Sequence, residues 1–452
     1  MSKENQTDRT QLDSRIETFR YPDGRIQRVQ LVKLPDWNEL EFLLPEFSPD
    51  AFDSFCSFYR RYLVPGCPWV FGNIVLFRLP DGLELPGIID RYDKLTAAAT
   101  TLKNGLRIHG GKARCRTDLA ERLWQALREN NCAQIVRGKL PITTIIPVSN
   151  APGFLTRTQP DARVKVNGCF FIMDPFDCAT VYDHVGACIG LRVKNGVVEN
   201  PPQFSREALL VKKDGIVTVE QPELTYLTIR IGDHSYIHGQ NATVYSRPQR
   251  AKTPNGKGTR LVIVGCRVVA VHHGGRVPIP ASGFVLCPEG ECHAQPGDKV
   301  IYAGMEDVAF GMQVGNSIVK DGVKTERFIS RFYNIRKLEP IPFPPSLYPM
   351  DFEKGRAARI ALGADKDGKP LLLWAEGAGK MGYVPGRDSC GASLADMAKI
   401  CQKMGMVNAI HLDGGGSAQM LLRNCRSLKI SDRSDANGTE SERPVPMGLM
   451  VK

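Results

Sequence analysis

A carboxylate, three glycines and a hydroxyl in succession are the residues of this chain best placed to do chemistry. They lie in Asn408-Ala-Ile-His-Leu-Asp413-Gly-Gly-Gly-Ser417-Ala-Gln-Met-Leu-Leu422. The stretch before Asp413 has strand composition. Alternation then sends Asn408, Ile410 and Leu412 to one face and Ala409, His411 and Asp413 to the other. An imidazole and a carboxylate therefore share a face that ends in backbone free to take positive φ. Successive glycines at Gly414, Gly415 and Gly416 let amide N–H groups converge on an anion without side chains in the way, with the Ser417 hydroxyl beside them. That combination suits attack on, or stabilisation of, a phosphate-bearing substrate. The plain alternative is a hairpin, since Asp-Gly is a common turn pair.

The flanking elements must position this turn. Ser393-Leu-Ala-Asp396 reads as a capping box with Asp in the third helical position. Leu394, Met397, Ala398 and Cys401 follow at helical spacing, and Gly405 is placed to stop the helix. Beyond the turn, Glu442-Arg443-Pro444 leads into a last apolar strand, Val445 to Val451.

Three blocks in order carry a resemblance. The first is Val166-Asn167-Gly168-Cys169-Phe170-Phe171 with Gly186 to Gly190 and Asn195-Gly196. The second is Ile279-Pro280, Gly283-Phe284-Val285-Leu286 and Gly297-Asp298. The third is Glu376-Gly377, Gly391, the Leu394–Ala398 helix, Val407-Asn408-Ala409, Asp413 to Ser417 and Arg443-Pro444. Together they resemble the phosphodiester glycosidase family over about Lys139 to Lys452. The resemblance implies hydrolysis of a glycosyl-1-phosphodiester at the anomeric C–O bond, through an oxocarbenium-like state. Such chemistry needs a carboxylate near the anomeric carbon, a cation on the phosphate and hydrogen bonds to the sugar. Asp413 is the first candidate for the carboxylate, as base, nucleophile or oxocarbenium stabiliser. Glu376 and Glu442 are the second-carboxylate candidates, and His411 is a candidate acid. Arg443 suits the phosphate because its planar fork matches phosphate oxygens. Asn167, donor and acceptor both, suits a sugar hydroxyl or acetamido group, with Gly168 beside it.

This sequence departs from the family at three places. Cys169 replaces a glycine, Glu376 stands where Asp is usual, and Cys390 precedes Gly391 where an arginine is common. The departures leave the substrate open, a nucleotide-linked phosphodiester among the options. They also leave open a non-catalytic phosphate- or nucleic-acid-binding protein on the same fold.

The rest of the chain sets the frame. The 452 residues suggest two or three domains, and 42% hydrophobic with 24% charged residues is ordinary for a globular protein. A net charge of +11 attracts polyanions, but no run of five Lys or Arg marks a nucleic-acid arm. The polar start, the absence of an apolar span and 13 scattered cysteines predict a cytoplasmic chain off the membrane and without a disulfide framework. Cys287, Cys292 and His293 lack a second ligand pair, so neither metal nor cofactor is expected.

Residues 1–130 read as an N-terminal region of unassigned role. It holds a strand at Ile26–Leu34, aromatic runs after Pro49, a glycine turn at His109–Lys112 and an amphipathic helix from Thr117 or Asp118. Residues 131–452 read as the catalytic domain, with an inserted β module at 241–298 and an irregular connection at Pro340–Pro349. Asn195-Gly196, Asp214-Gly215, Asp321-Gly322 and Asp367-Gly368 each separate short aliphatic runs and predict four hairpins. The expected class is α+β, a mixed and largely antiparallel sheet core with few helices.

Overall fold

The computed structural model describes residues 12–45, 153–172, 180, 182, 186–203, 206–247, 250–326, 328, 355–378, 384–430 and 442–452, with the strands Asn73–Leu76 and Gln134–Arg137. The N-terminal helix, the His109–Lys112 turn, the boundary near 130 and the Pro340–Pro349 connection lie outside the described residues.

The fold is predominantly β, and this corrects the α+β expectation. Every ladder between described strands is antiparallel. The one α-helix among the described residues is Leu394–Lys403. The hairpin signals explain the outcome, because strands joined by tight turns pair with their sequence neighbours. All four predicted turns join paired strands. At Asn195-Gly196 and Asp321-Gly322 both turn residues take the positive φ that such turns require.

Two sheets hold the site. A seven-stranded sheet runs, in spatial order, Asp13–Arg20, Ile26–Lys33, Pro370–Ala375, Arg359–Ala364, Asn408–His411, Ser317–Lys320 and Val323–Lys324. A four-stranded sheet runs Met420–Leu422, Val164–Asn167, Gly448–Val451 and Leu40–Leu43. Residues 12–43 thus supply three strands to the two sheets that carry the C-terminal motifs. Ile410 and Leu412 lie in a core cluster with the inner residues of the four-stranded sheet, such as Val166 and Met420. Ala409 lies in a second cluster with Met397, Ala398 and Cys401 of the helix. The strand before Asp413 is therefore buried on both sides, and alternation assigns its residues to the two cores.

The helix forms where its cap directs. Ser393 and Asp396 make the reciprocal capping box, and Gly405 takes φ +89° just beyond the end. Residues 242–288 form a four-stranded sheet of their own, whose apolar residues share a core with Val193 and Leu210 of the strands Arg192–Lys194 and Ala208–Lys212 in a neighbouring five-stranded sheet.

Close backbone approach sets the central strand. A Cβ on Gly363 would collide with the Asn408 carbonyl and stand 2.7 Å from Ala409 Cβ. Gly363→Ala should therefore destabilise the protein by about 1–3 kcal/mol. Urea unfolding checks this, and an unchanged midpoint would show that the strands separate freely.

Candidate active site

The glycine stretch is not a hairpin. The strand Asn408–His411 belongs to the seven-stranded sheet and Met420–Leu422 to the four-stranded one. Asp413 to Gln419 is the crossover between them, tightened by a 3-10 turn at Gly415–Ser417. Gly415 takes φ +59°, and its N–H donates to the Ala358 carbonyl at 2.8 Å. The Ser417 N–H donates to the Gly414 carbonyl at 3.2 Å, and the Gly414 N–H serves the Asp413 carboxylate. These amides fold the loop and hold Asp413, whereas the sequence suggested amides converging on an external anion.

Asn167 ties both ends of the crossover. Its Nδ2 donates to the Asp413 carbonyl at 2.7 Å, and its Oδ1 accepts the Gln419 N–H at 3.0 Å. Next to it, the Gly168 carbonyl accepts the Asp413 N–H at 3.0 Å. Asn167 is 1% exposed, so its amide braces the loop, where the sequence reading aimed it at a sugar.

Asp413 is 9% exposed. Burial pushes its carboxyl up to about 6, against the opposing pull of a hydrogen bond from Ser417, the Arg443 charge, the Gly414 N–H and the Arg359 charge. Its Oδ2 accepts no hydrogen bond among the described residues. Arg443 Nη1 donates to Ser417 Oγ at 3.2 Å. The guanidinium lies against the Gly416 Cα, where a Cβ would collide with Nη2 and stand 2.6 Å from Cζ. A carboxylate, a hydroxyl and an arginine are thus joined in a row, and the third glycine is what lets the arginine in.

The other candidates separate. His411 is fully buried, and it packs so closely that a Cβ on Gly315 would stand 2.9 Å from its Nδ1 and one on Gly414 3.3 Å from its Nε2. Glu442 accepts from the Thr156 N–H at 3.1 Å and Oγ1 at 2.6 Å and pairs with Arg426 at 2.8 Å. Arg426 reaches Gln419 Oε1 at 3.3 Å, and Gln419 Nε2 donates to the Arg443 carbonyl at 3.0 Å, so Glu442 braces the phosphate-binding candidate from behind.

Glu376 is 3% exposed. It bonds in a separate group, with Arg28 Nε at 2.8 Å, Ser389 Oγ at 2.5 Å and the Lys429 N–H at 3.0 Å. Three donors on one carboxylate make it a structural anchor for the N-terminal strand.

Arg359 was missed. Ala361 pairs with His411, which sets Arg359 level with Asp413, and its Nη2 and Nε donate to the Gly355 and Ala392 carbonyls at 2.9 and 3.2 Å. The signal was a charge heading an otherwise apolar strand. Among the described residues no three His, Cys, Asp or Glu side chains gather as a metal would need. Cys287 takes a bond from Arg260 Nη1 at 3.1 Å, and Cys292 lies 3.5 Å from the Tyr236 hydroxyl. No helix among the described residues is long and apolar enough to cross a membrane.

Residues 268–452 match the family model described as phosphodiester glycosidase. Over 95 residues the chain is 34% identical to the N-acetylglucosamine-1-phosphodiester alpha-N-acetylglucosaminidase of Mus musculus and 35% identical to that of Homo sapiens. Each match covers 21% of this chain and 17% of the relative, so the chain spans about a sixth of the curated relatives' length. Two solved structures are also similar. One is the catalytic domain of the zebrafish enzyme of that name, at 12% identity and TM-score 0.39, covering 98% of this chain and 82% of that one. The other is a putative exported protein of Burkholderia pseudomallei, at 16% identity and TM-score 0.41, covering 98% and 97%.

The buried carboxylate has a consequence for stability. Its pKa is raised from 3.8 to about 6 in the folded chain, so the native state binds the extra proton between these values. Unfolding free energy therefore falls as pH rises through that window. Asp413→Asn removes the ionised form and should stabilise the protein at pH 7.5 by an amount on the order of 2–3 kcal/mol, with the gain vanishing below pH ~4. Urea unfolding of both proteins at the two pH values measures it. A variant less stable than the parent at pH 7.5 would show that the ionised carboxylate is net favourable.

Proposed function

We propose that this chain, with its match to phosphodiester glycosidases at residues 268–452, hydrolyses the anomeric C–O bond of a glycosyl-1-phosphodiester and releases free sugar and a phosphomonoester. The observation that carries the reading is the Asp413 carboxylate, buried, lacking a donor on Oδ2, and linked through Ser417 to Arg443. Breaking the anomeric bond leaves positive charge on the sugar and negative charge on the departing phosphate. Asp413 answers the first charge and Arg443 the second, and Ser417 holds the two at a set separation. A departing phosphomonoester needs little protonation, so one ionised carboxylate suffices for the chemical step.

Asp413 with a pKa near 6 is mostly ionised at neutral pH yet holds its charge in a poorly solvated place. That charge is worth more against an oxocarbenium than it would be in water. Arg359 offsets part of the cost of keeping it. Arg443 is half-buried, so it borders solvent as well as the loop.

Charge-assisted hydrogen bonds from a guanidinium to a phosphate are worth about 1.5–3 kcal/mol each. Arg443→Ala should then lower kcat/KM on a phosphodiester by roughly ten- to a hundredfold. Arg443→Lys should recover only part, because it supplies charge without the planar fork. An aryl glycoside of the same sugar carries no phosphate and should respond little. Steady-state kinetics on both substrates decides. Equal losses on both would mean that Arg443 only supports the loop.

A further inference from the structure

The reaction above leaves two thiols unused. Cys169 follows Gly168, whose carbonyl accepts the Asp413 N–H. Cys188 opens the strand Cys188–Ile189, which pairs with Phe170–Phe171 in the register Phe170↔Ile189 and Phe171↔Cys188. Alternation puts Cys169, Phe171 and Cys188 on one face of this short ladder, with the cysteines as diagonal neighbours. Both are 3% exposed, and their side chains hydrogen-bond to one another.

Arg192 lies beside them. It is buried, hydrogen-bonds Cys188, and has Nε 3.7 Å from Glu199 Oε2. Its Nε and Nη1 are buried and make no hydrogen bond among the described residues. Burial opposes ionisation of Cys188, but the hydrogen bond from Cys169 and the Arg192 charge outweigh it and hold that thiol below its ordinary pKa. Burial pushes Cys169 the other way. One thiol is thus set up as the nucleophile and its neighbour as the protonated partner.

We propose that Cys169 and Cys188 are a modification site for hydrogen peroxide, which joins them in a reversible disulfide beside Asp413. The Cys188 thiolate attacks one peroxide oxygen, the O–O bond breaks, and hydroxide leaves as water after taking a proton. The Arg192 charge beside Cys188 stabilises the negative charge that moves from sulfur to the departing oxygen. The Cys169 thiol then attacks the sulfenic sulfur, the S–S bond forms, and a second water departs. Two thiols and one peroxide become one disulfide and two waters.

Diagonal neighbours stand about 7–8 Å apart at Cα, whereas bridged cysteines usually stand at about 4.4–6.8 Å. Closing the bridge therefore draws Cys169 toward Cys188 and pulls on Gly168. Gly168 itself packs against Met447, where a Cβ would stand 2.6 Å from Sδ. The movement reaches the carbonyl that holds the Asp413 N–H. This effect on turnover rests on the function proposed above, but formation of the disulfide does not.

The test exposes the folded, full-length chain to hydrogen peroxide, alkylates the remaining thiols and maps disulfides by peptide mass. Exposed Cys425 serves as the accessible reference thiol. The expected result is a Cys169–Cys188 linkage that dithiothreitol reverses, absent in Cys188→Ser and formed at least about tenfold more slowly in Arg192→Gln. Arg192→Lys, which keeps the charge, should lie between Arg192→Gln and the parent. Turnover of a phosphodiester should fall in step with the mapped linkage. Oxidation of Cys425 while Cys169 and Cys188 stay fully alkylated would overturn the proposal, whatever the activity of the chain.

Discussion

The candidate site depends on one amide side chain. Asn167 donates to the carbonyl of Asp413 and accepts from the N–H of Gln419, so a single residue closes a loop that passes between two sheets. Carboxylates and hydroxyls do not supply donor and acceptor at that fixed separation, and glutamine would be a methylene too long. Each bond contributes only about 1 kcal/mol net, but leaving either backbone group buried and unpaired costs about 1–3 kcal/mol. Without the clamp, Asp413 would have an easy path to solvent, and its carboxyl would return toward the ordinary range. The N-terminal strands serve the same end from outside, since Arg28 anchors Glu376 at the end of the strand that pairs with Arg359–Ala364.

Two buried carboxylates, Glu376 and Asp413, show how burial alone fails to mark a reactive group. Glu376 takes three donors at 3.0 Å or less, with both carboxylate oxygens engaged. Asp413 keeps Oδ2 without a donor and is pushed up to about 6. An acceptor left unspent in a poorly solvated place is costly, and folds retain such costs where the group has other work. The flanking arginines limit the penalty without removing it. Ser417, accepting from Arg443 and donating to Asp413, relates the two charges to each other rather than to the scaffold.

Much of this was legible from local pattern. Four Asn-Gly or Asp-Gly pairs announced their hairpins, and Ser393 with Asp396 announced the helix start, because those signals act within four residues. Asp413, Ser417 and Arg443 were named from motifs and stand together in the fold. Asn167 was named too, yet its partners lie some 250 residues away in sequence, and no local pattern says whether an amide faces a loop or a ligand. Glu376 was named as a second-carboxylate candidate, and its partner Arg28 comes from the far end of the chain, beyond the reach of any local pattern. Arg359 escaped notice because only strand register places it level with Asp413. The α+β expectation gave weight to helix signals, while hairpin pairing settled the class.

The central claim is that the bond broken is the one between the anomeric carbon and oxygen, with Asp413 answering charge on the sugar. Its most direct test runs the hydrolysis of a glycosyl-1-phosphodiester in water enriched in oxygen-18 and reads both products by mass and by phosphorus NMR. Cleavage at carbon places the label on the anomeric hydroxyl of the released sugar and leaves the phosphomonoester unlabelled. A label on the phosphate would mean attack at phosphorus. That result would make the chain a phosphoesterase and leave Asp413 and Arg443 without the roles assigned to them.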